Sequence, residues 1–287
     1  MNDQSQNGDS RLARADLVSA IRVEPGVPVI RNVNWSGTRA LYLKEVRRFM
    51  KVQLQTIWAP SVTTLLYLVI FTIALGGGRR AVMGVPFPDF IAPGLIVMGM
   101  MNASFANSSF SLLVGKVQGT LIDYLMPPIS TGELLFALVA SSVTRACMLG
   151  FAVWLAMAIW PDVNVMPHHG WAIIWFGLLG STLVAFMGVL TSIWAEKFDH
   201  AAAVTNFVIA PLTLLSGTFY SVDKLLPAFQ KISHANPFFY IISGFRYGFL
   251  NVADTDVAIG SVVLLVLNLL FGGLTYALLL KGWKIKA

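Results

Sequence analysis

The sequence predicts an all-α, polytopic membrane protein: six transmembrane helices, an N-terminal interfacial helix, and an external re-entrant helical hairpin before the last span. Two observations carry that prediction. Six apolar stretches are long enough to cross a bilayer, at about Ile57 to Gly78, Phe90 to Gly115, Leu134 to Trp160, Trp171 to Ala195, Ala201 to Val222 and Val257 to Leu280. About 20 residues, each rising roughly 1.5 Å, span a hydrocarbon core of about 30 Å. Five of the six contain no Asp, Glu, Lys or Arg, and the third is broken only by Arg145. Composition agrees, since charged residues make up 12% and hydrophobic residues 56% of the 287, where a soluble domain carries about 25% charge.

The charge is placed as a topology signal. Nine of the twenty basic residues fall before the first span: Arg11, Arg14, Arg22, Arg31, Arg39, Lys44, Arg47, Arg48 and Lys51. Lys116, Lys197, Lys281, Lys284 and Lys286 join them on the inner side, against Arg79, Arg80, Lys224, Lys231 and Arg246 on the outer. The excess of Lys and Arg inside puts both termini in the cytoplasm, and six crossings agree. Arg79 and Arg80 run against the rule locally. The net charge of +6 is read this way, without a nucleic-acid partner, because the basic residues flank spans and build no recognisable nucleic-acid motif. No secretory signal pattern precedes the first apolar run, so the first span is expected to direct insertion.

Along the chain, residues 1–34 read as a flexible cytoplasmic tail, with Gly8, Pro25, Gly26 and Pro28 among polar residues. Residues 35–53 read as an interfacial helix: Trp35, Tyr42, Leu43, Val46, Phe49 and Met50 recur at helical spacing beside Lys44, Arg47, Arg48 and Lys51. A solvated cytoplasmic helix is the alternative. Residues 54–287 form the transmembrane domain. Its second span crowds Asn102, Ser104, Asn107, Ser108, Ser109 and Ser111 into one half, and those groups need partners inside the bundle or in water. The loop from Lys116 to Glu133 holds a short amphipathic piece that Pro127 and Pro128 stop. After the fifth stretch, Ser221 to Asn251 is too apolar for an aqueous loop. Asn236 and Pro237 break it, and the 14 uncharged residues from Ile232 to Phe245 are too few to span.

Much chemistry is missing. No phosphate-binding loop of the G-x-x-x-x-G-K-[ST] kind occurs, so the chain is expected to bind no ATP itself. Cys147 is the single cysteine, and His168 and His169 stand adjacent without a third ligand, so no metal site is expected. Gly76, Gly77 and Gly78 beside Arg79 and Arg80 fit a flexible turn better than an anion cradle. A membrane enzyme would need a nucleophile and base within the spans, which contain no histidine. Arg145 is the one charge near a bilayer midplane, and such costly residues are functional candidates by default. It either lines a cavity or pairs with a polar neighbour.

Several strings resemble the membrane subunits of ABC-2 type (type V) ATP-binding cassette exporters of bacteria. They are EVRRFMKVQLQTIWAP before the first span, FIAPGLIVMGMMNASFANSSF in the second, FDHAAAVTNFVIAPLTLLSGTFYSV around the fifth and SHANPFFYIISGFRYGFL before the sixth. The resemblance covers roughly Val33 to Leu280 and leaves the tail unmatched. It implies a subunit of the bacterial cytoplasmic membrane, paired as a homodimer, in contact with membrane lipid, and driven by two copies of a separate cytoplasmic ATPase. That partner would bind the ATP and Mg, leaving this chain without a cofactor. It further implies that Gly119, Thr120, Leu121, Asp123, Tyr124, Leu125, Pro127 and Pro128 belong to a coupling helix that docks on the ATPase. Asn236, Pro237 and Arg246 then stand at the turn and exit of the external hairpin. Asn102, Asn107, Ser108, Arg145, Thr205 and Asn206 are candidates for the substrate path. The cargo implied is amphipathic: a polysaccharide, lipid-linked glycan, lipid or drug. An ATP-independent secondary transporter or channel is the alternative; intramembrane carboxylates would favour it, and the six stretches hold none.

Overall fold

The structure, a computed structural model, describes residues 33–74, 81–160 and 163–284, the side chain of Leu125 excepted. The expected tail up to residue 32, the Gly76 to Arg80 turn and Lys286 lie outside the described residues.

Helix α1 (Trp35–Met50) buries Thr38, Leu41, Glu45 and Phe49, which recur every three or four residues on one face. This face is rotated from the expected stripe: Trp35 is 71% exposed, and the carboxylate of Glu45 stands on the buried face. A π-helical turn (Leu54–Trp58) leads into α2 (Ala59–Ala74). A two-residue hairpin follows, Ala81–Val82 against Val85–Pro86. Its turn residues Met83 and Gly84 both take positive φ, as a tight hairpin demands.

Helix α3 (Phe87–Gln118) is the centre of the bundle, with 78% of its most apolar window buried. It ends where Gly119 adopts φ 72 and Thr120 N–H returns to the Gly115 carbonyl, a left-handed C-terminal stop. One turn, α4 (Ile122–Leu125), sits in the following loop. Ser130 and Glu133 then form a reciprocal capping box that opens α5 (Thr131–Ala158). Helix α6 is Gly170–Trp194.

The polar residues of α3 find partners inside the bundle. Ser104 Oγ donates to the Ser181 carbonyl at 2.7 Å, and small residues let α3 and α6 approach closely. A Cβ on Gly188 would lie 1.9 Å from Ser108 Oγ and 2.9 Å from the Phe105 carbonyl oxygen. Gly188→Leu is therefore expected to cost about 1–3 kcal/mol through overpacking, read as a lowered thermal midpoint in detergent. An unchanged midpoint would show that the two helices have room to part.

The fifth apolar stretch departs from expectation. It forms α7 (Phe198–Val204), a π-helical turn (Thr205–Ile209) and α8 (Ala210–Leu214), 17 helical residues in all. At 1.5 Å per residue that run is about 25 Å long. The chain then leaves the helix, with Gly217 at φ 79. Its freed carbonyls are taken by side chains: Leu212 by Asn236, Thr213 by Thr218, Leu214 by Tyr220, Leu215 by Ser233 and Gly217 by Arg246. Two of these donors come from the next helices, α9 (Pro227–Ala235) and α10 (Pro237–Leu250), and Asn236 between them caps α10. The expected break at Asn236 and Pro237 is thus a helix–helix junction, and α10 packs against α3, α6 and α11 (Val257–Lys281). Among the described residues five helices are long and apolar enough to cross a membrane: Leu54–Ala74, α3, α5, α6 and α11. Helix α11 is peripheral, with 11% of its most apolar window buried.

Candidate functional site

The loop after α3 presents one face outward and one inward. Gly119, Thr120, Asp123, Pro127 and Pro128 are exposed, as are Ile122 at 59% and Met126 at 75%. Tyr124 is buried, and Leu121 packs partly against the same cluster of α1, α5 and α6 side chains. The one-turn amphipathic helix thus turns the Tyr124 ring to the core, while Ile122, Asp123 and Met126 face outward. Leu125 lies outside the described side chains.

Tyr124 is tied to a carboxylate. Its hydroxyl donates to Glu45 Oε1 at 2.9 Å, and Lys44 Nζ lies 3.7 Å from the centre of its ring. Burial, then the Glu45 charge, holds the phenol well above its ordinary range, so the proton needed for this bond stays in place through neutral pH. The fully buried Glu45 also receives Arg48 Nη2 at 2.9 Å and Ser111 Oγ at 3.0 Å on Oε2. Arg48 Nη2 continues to the Asn107 carbonyl at 3.0 Å, and Asn107 Nδ2 donates to Ser142 Oγ at 3.0 Å. One polar chain therefore joins the loop, α1, α3 and α5. It ends one helical turn from Arg145.

Arg145 lines a cavity of about 760 Å³ bounded by the Leu54–Ala74 helix, α3, α5 and the α7–α8 run. Asn102 and Thr205 line it too, so three of the six expected path residues are brought together. The other three are not. Asn107 is committed to the polar chain, Ser108 is buried with its hydroxyl on the Ser104 carbonyl, and Asn206 is exposed beyond the lining. Gln55, Thr56 and Thr64 belong to the lining as well, and the sequence reading did not single them out.

At the hairpin, Asn236 and Pro237 stand at the junction as expected, while Arg246 is a fully buried hub. Its Nη1 pairs with Asp254, its Nε donates to the Phe90 carbonyl at 3.3 Å and its Nη2 to the Gly217 carbonyl at 2.7 Å. The adjacent histidines serve the loop before α6, where His169 stacks on Tyr247 and pairs with Asn251. Among the described residues no group of His, Cys, Asp and Glu could hold a metal ion.

Comparison with known proteins agrees with this architecture. A family model described as ABC-2 type transporter matches residues 36–250. The inner membrane transport permease YadH of Escherichia coli K12 is 33% identical over 254 residues, covering 88% of this chain and 98% of that protein. Nodulation protein J of Rhizobium leguminosarum bv. viciae is 24% identical over 240 residues, covering 82% and 89%. Helix α1 beyond its first residue, the amphipathic loop helix and the broken fifth stretch lie within the matched region, and the chain belongs to the ABC-2 type transporter family of membrane permeases.

Proposed function

We propose that this chain is the membrane subunit of an ATP-driven exporter in the bacterial cytoplasmic membrane, acting as a homodimer with two copies of a separate cytoplasmic ATPase. The fifth stretch and the α9–α10 hairpin then complete a six-crossing subunit: the short run enters the bilayer, and the hairpin re-enters from outside. Both termini are cytoplasmic in this reading. The cargo is an amphipathic molecule.

One observation carries the reading: the bond from Tyr124 to the buried Glu45. A loop helix that only decorated the surface would not be joined through a carboxylate to two of the helices that bound the Arg145 cavity, α3 and α5. The exposed Ile122, Asp123 and Met126 offer a small apolar and acidic face to the ATPase. When ATP closes the ATPase pair, a push on that face is transmitted to α1 and α3 through the polar chain. Energetically the push works only by favouring one arrangement of the spans over another.

The test is purification of the tagged chain from its native cells in mild detergent. A soluble subunit carrying a phosphate-binding loop should come with it, and the eluate should hydrolyse ATP. The double variant Ile122→Asp, Met126→Asp should lose that subunit while keeping its gel-filtration profile. A stable oligomer that never brings an ATPase would favour the ion-coupled alternative instead.

A further inference from the structure

The Arg145 cavity holds a charge without a counterion. Arg145 lies near the middle of α5, where a guanidinium is expensive unless something compensates it. It makes no hydrogen bond or ion pair among the described residues, and its Nε is buried without a partner. Arg48 adds to the imbalance: its Nη1 is likewise buried and unpartnered, and the two like charges act on one another. The one carboxylate nearby in the polar chain, Glu45, is already taken by Arg48, Tyr124 and Ser111. None of the described residues lining the cavity is acidic.

The remaining walls say what kind of anion would fit. Asn102, Gln55 and Thr205 supply further polar groups, while the Phe71 and Phe219 rings, 4.4 Å apart, line it with apolar surface. A volume of about 760 Å³ falls in the range that small-molecule sites occupy, roughly 300–1,000 Å³. A free inorganic anion would meet the guanidinium but leave the apolar wall against water. We infer that this cavity binds an amphiphile through its anionic group, phosphate or carboxylate, with Arg145 as the charge that holds it. The inference rests on the exporter reading only for the claim that such a molecule is cargo; the site itself needs no ATPase.

The test uses the purified full chain in an uncharged detergent and radiolabelled dodecyl phosphate. Binding should be saturable, and neither dodecanol nor inorganic phosphate should compete at equal concentration. Arg145→Gln should weaken it roughly 10- to 100-fold, the effect of one hydrogen-bonded charge. Arg145→Lys should recover part of the loss, and Asn102→Leu, which keeps the arginine, should cost several-fold and guards against a folding defect. Phosphatidylglycerol competing as well as dodecyl phosphate supports the site and assigns a membrane lipid as its occupant. Undiminished binding by Arg145→Gln, or equal competition by inorganic phosphate, overturns the inference. So does an Arg145→Gln chain that binds normally but loses its dimer, which would make Arg145 a subunit contact. ATPase co-purification, scored on the same preparations, separates failure here from failure of the exporter reading.

Discussion

Arg246→Ala is expected to cost the fold about 3–5 kcal/mol, the usual penalty for breaking a buried ion pair from one side. Arg246 is 0% exposed and the Asp254 side chain 2%, so truncation strands a carboxylate in a site that water cannot reach. It also leaves the Phe90 and Gly217 carbonyls without their donor and removes the guanidinium that lies 3.9 Å from the centre of the Phe90 ring. Arg246→Lys should recover little, because an ammonium cannot reach three acceptors in fixed directions as a guanidinium fork does. Thermal unfolding of the detergent-solubilised chain measures this, with Asp254→Asn as the milder comparison. A loss under about 1 kcal/mol would mean that water reaches the pair and screens it.

Glu45→Ala is the second large effect, and it separates stability from coupling. Removing the carboxylate unpairs Arg48, which at 29% side-chain exposure is partly hydrated, so the cost should fall below the fully buried case, at about 2–3 kcal/mol. The functional consequence should be larger: in reconstituted complexes ATP hydrolysis persists while transport falls at least tenfold, as the loop helix loses its anchor. A double-mutant cycle of Glu45→Gln with Tyr124→Phe should return a coupling energy of about 1–2 kcal/mol. Additive single effects would show that the Tyr124 hydroxyl and Glu45 act independently, and the proposed route of transmission would be wrong.

Much of the fold was legible because length and hydropathy decide it. Five of the six apolar stretches became helices of spanning length, since an apolar run of that size has few other places to go. The fifth forms a shorter helical run, because the hydroxyls of Ser216, Thr218 and Tyr220, which hydropathy counts as tolerable in a span, claim the carbonyls of Thr213 and Leu214 where the helix stops. Glu45 was hidden among Lys44, Arg47 and Arg48. The signal that could have found it is spacing, for it falls four residues from both Leu41 and Phe49 on the buried face. Arg246 was read as a hairpin cation because its partner Asp254 comes eight residues later, beyond any helical neighbour rule. Asn102, Arg145 and Thr205 come from three separate stretches; Arg145 stood out by being charged where charge is costly, the other two as polar residues in apolar runs.

The end of the short helical run has one more consequence. A helix terminus normally leaves its last carbonyls to water, and a terminus inside a bilayer would draw water in to meet that need. Here Leu212, Thr213, Leu214, Leu215 and Gly217 are all served by side chains. Those five groups are paired within the chain, so a helix end of this kind could lie in a bilayer without unpaired backbone at those positions.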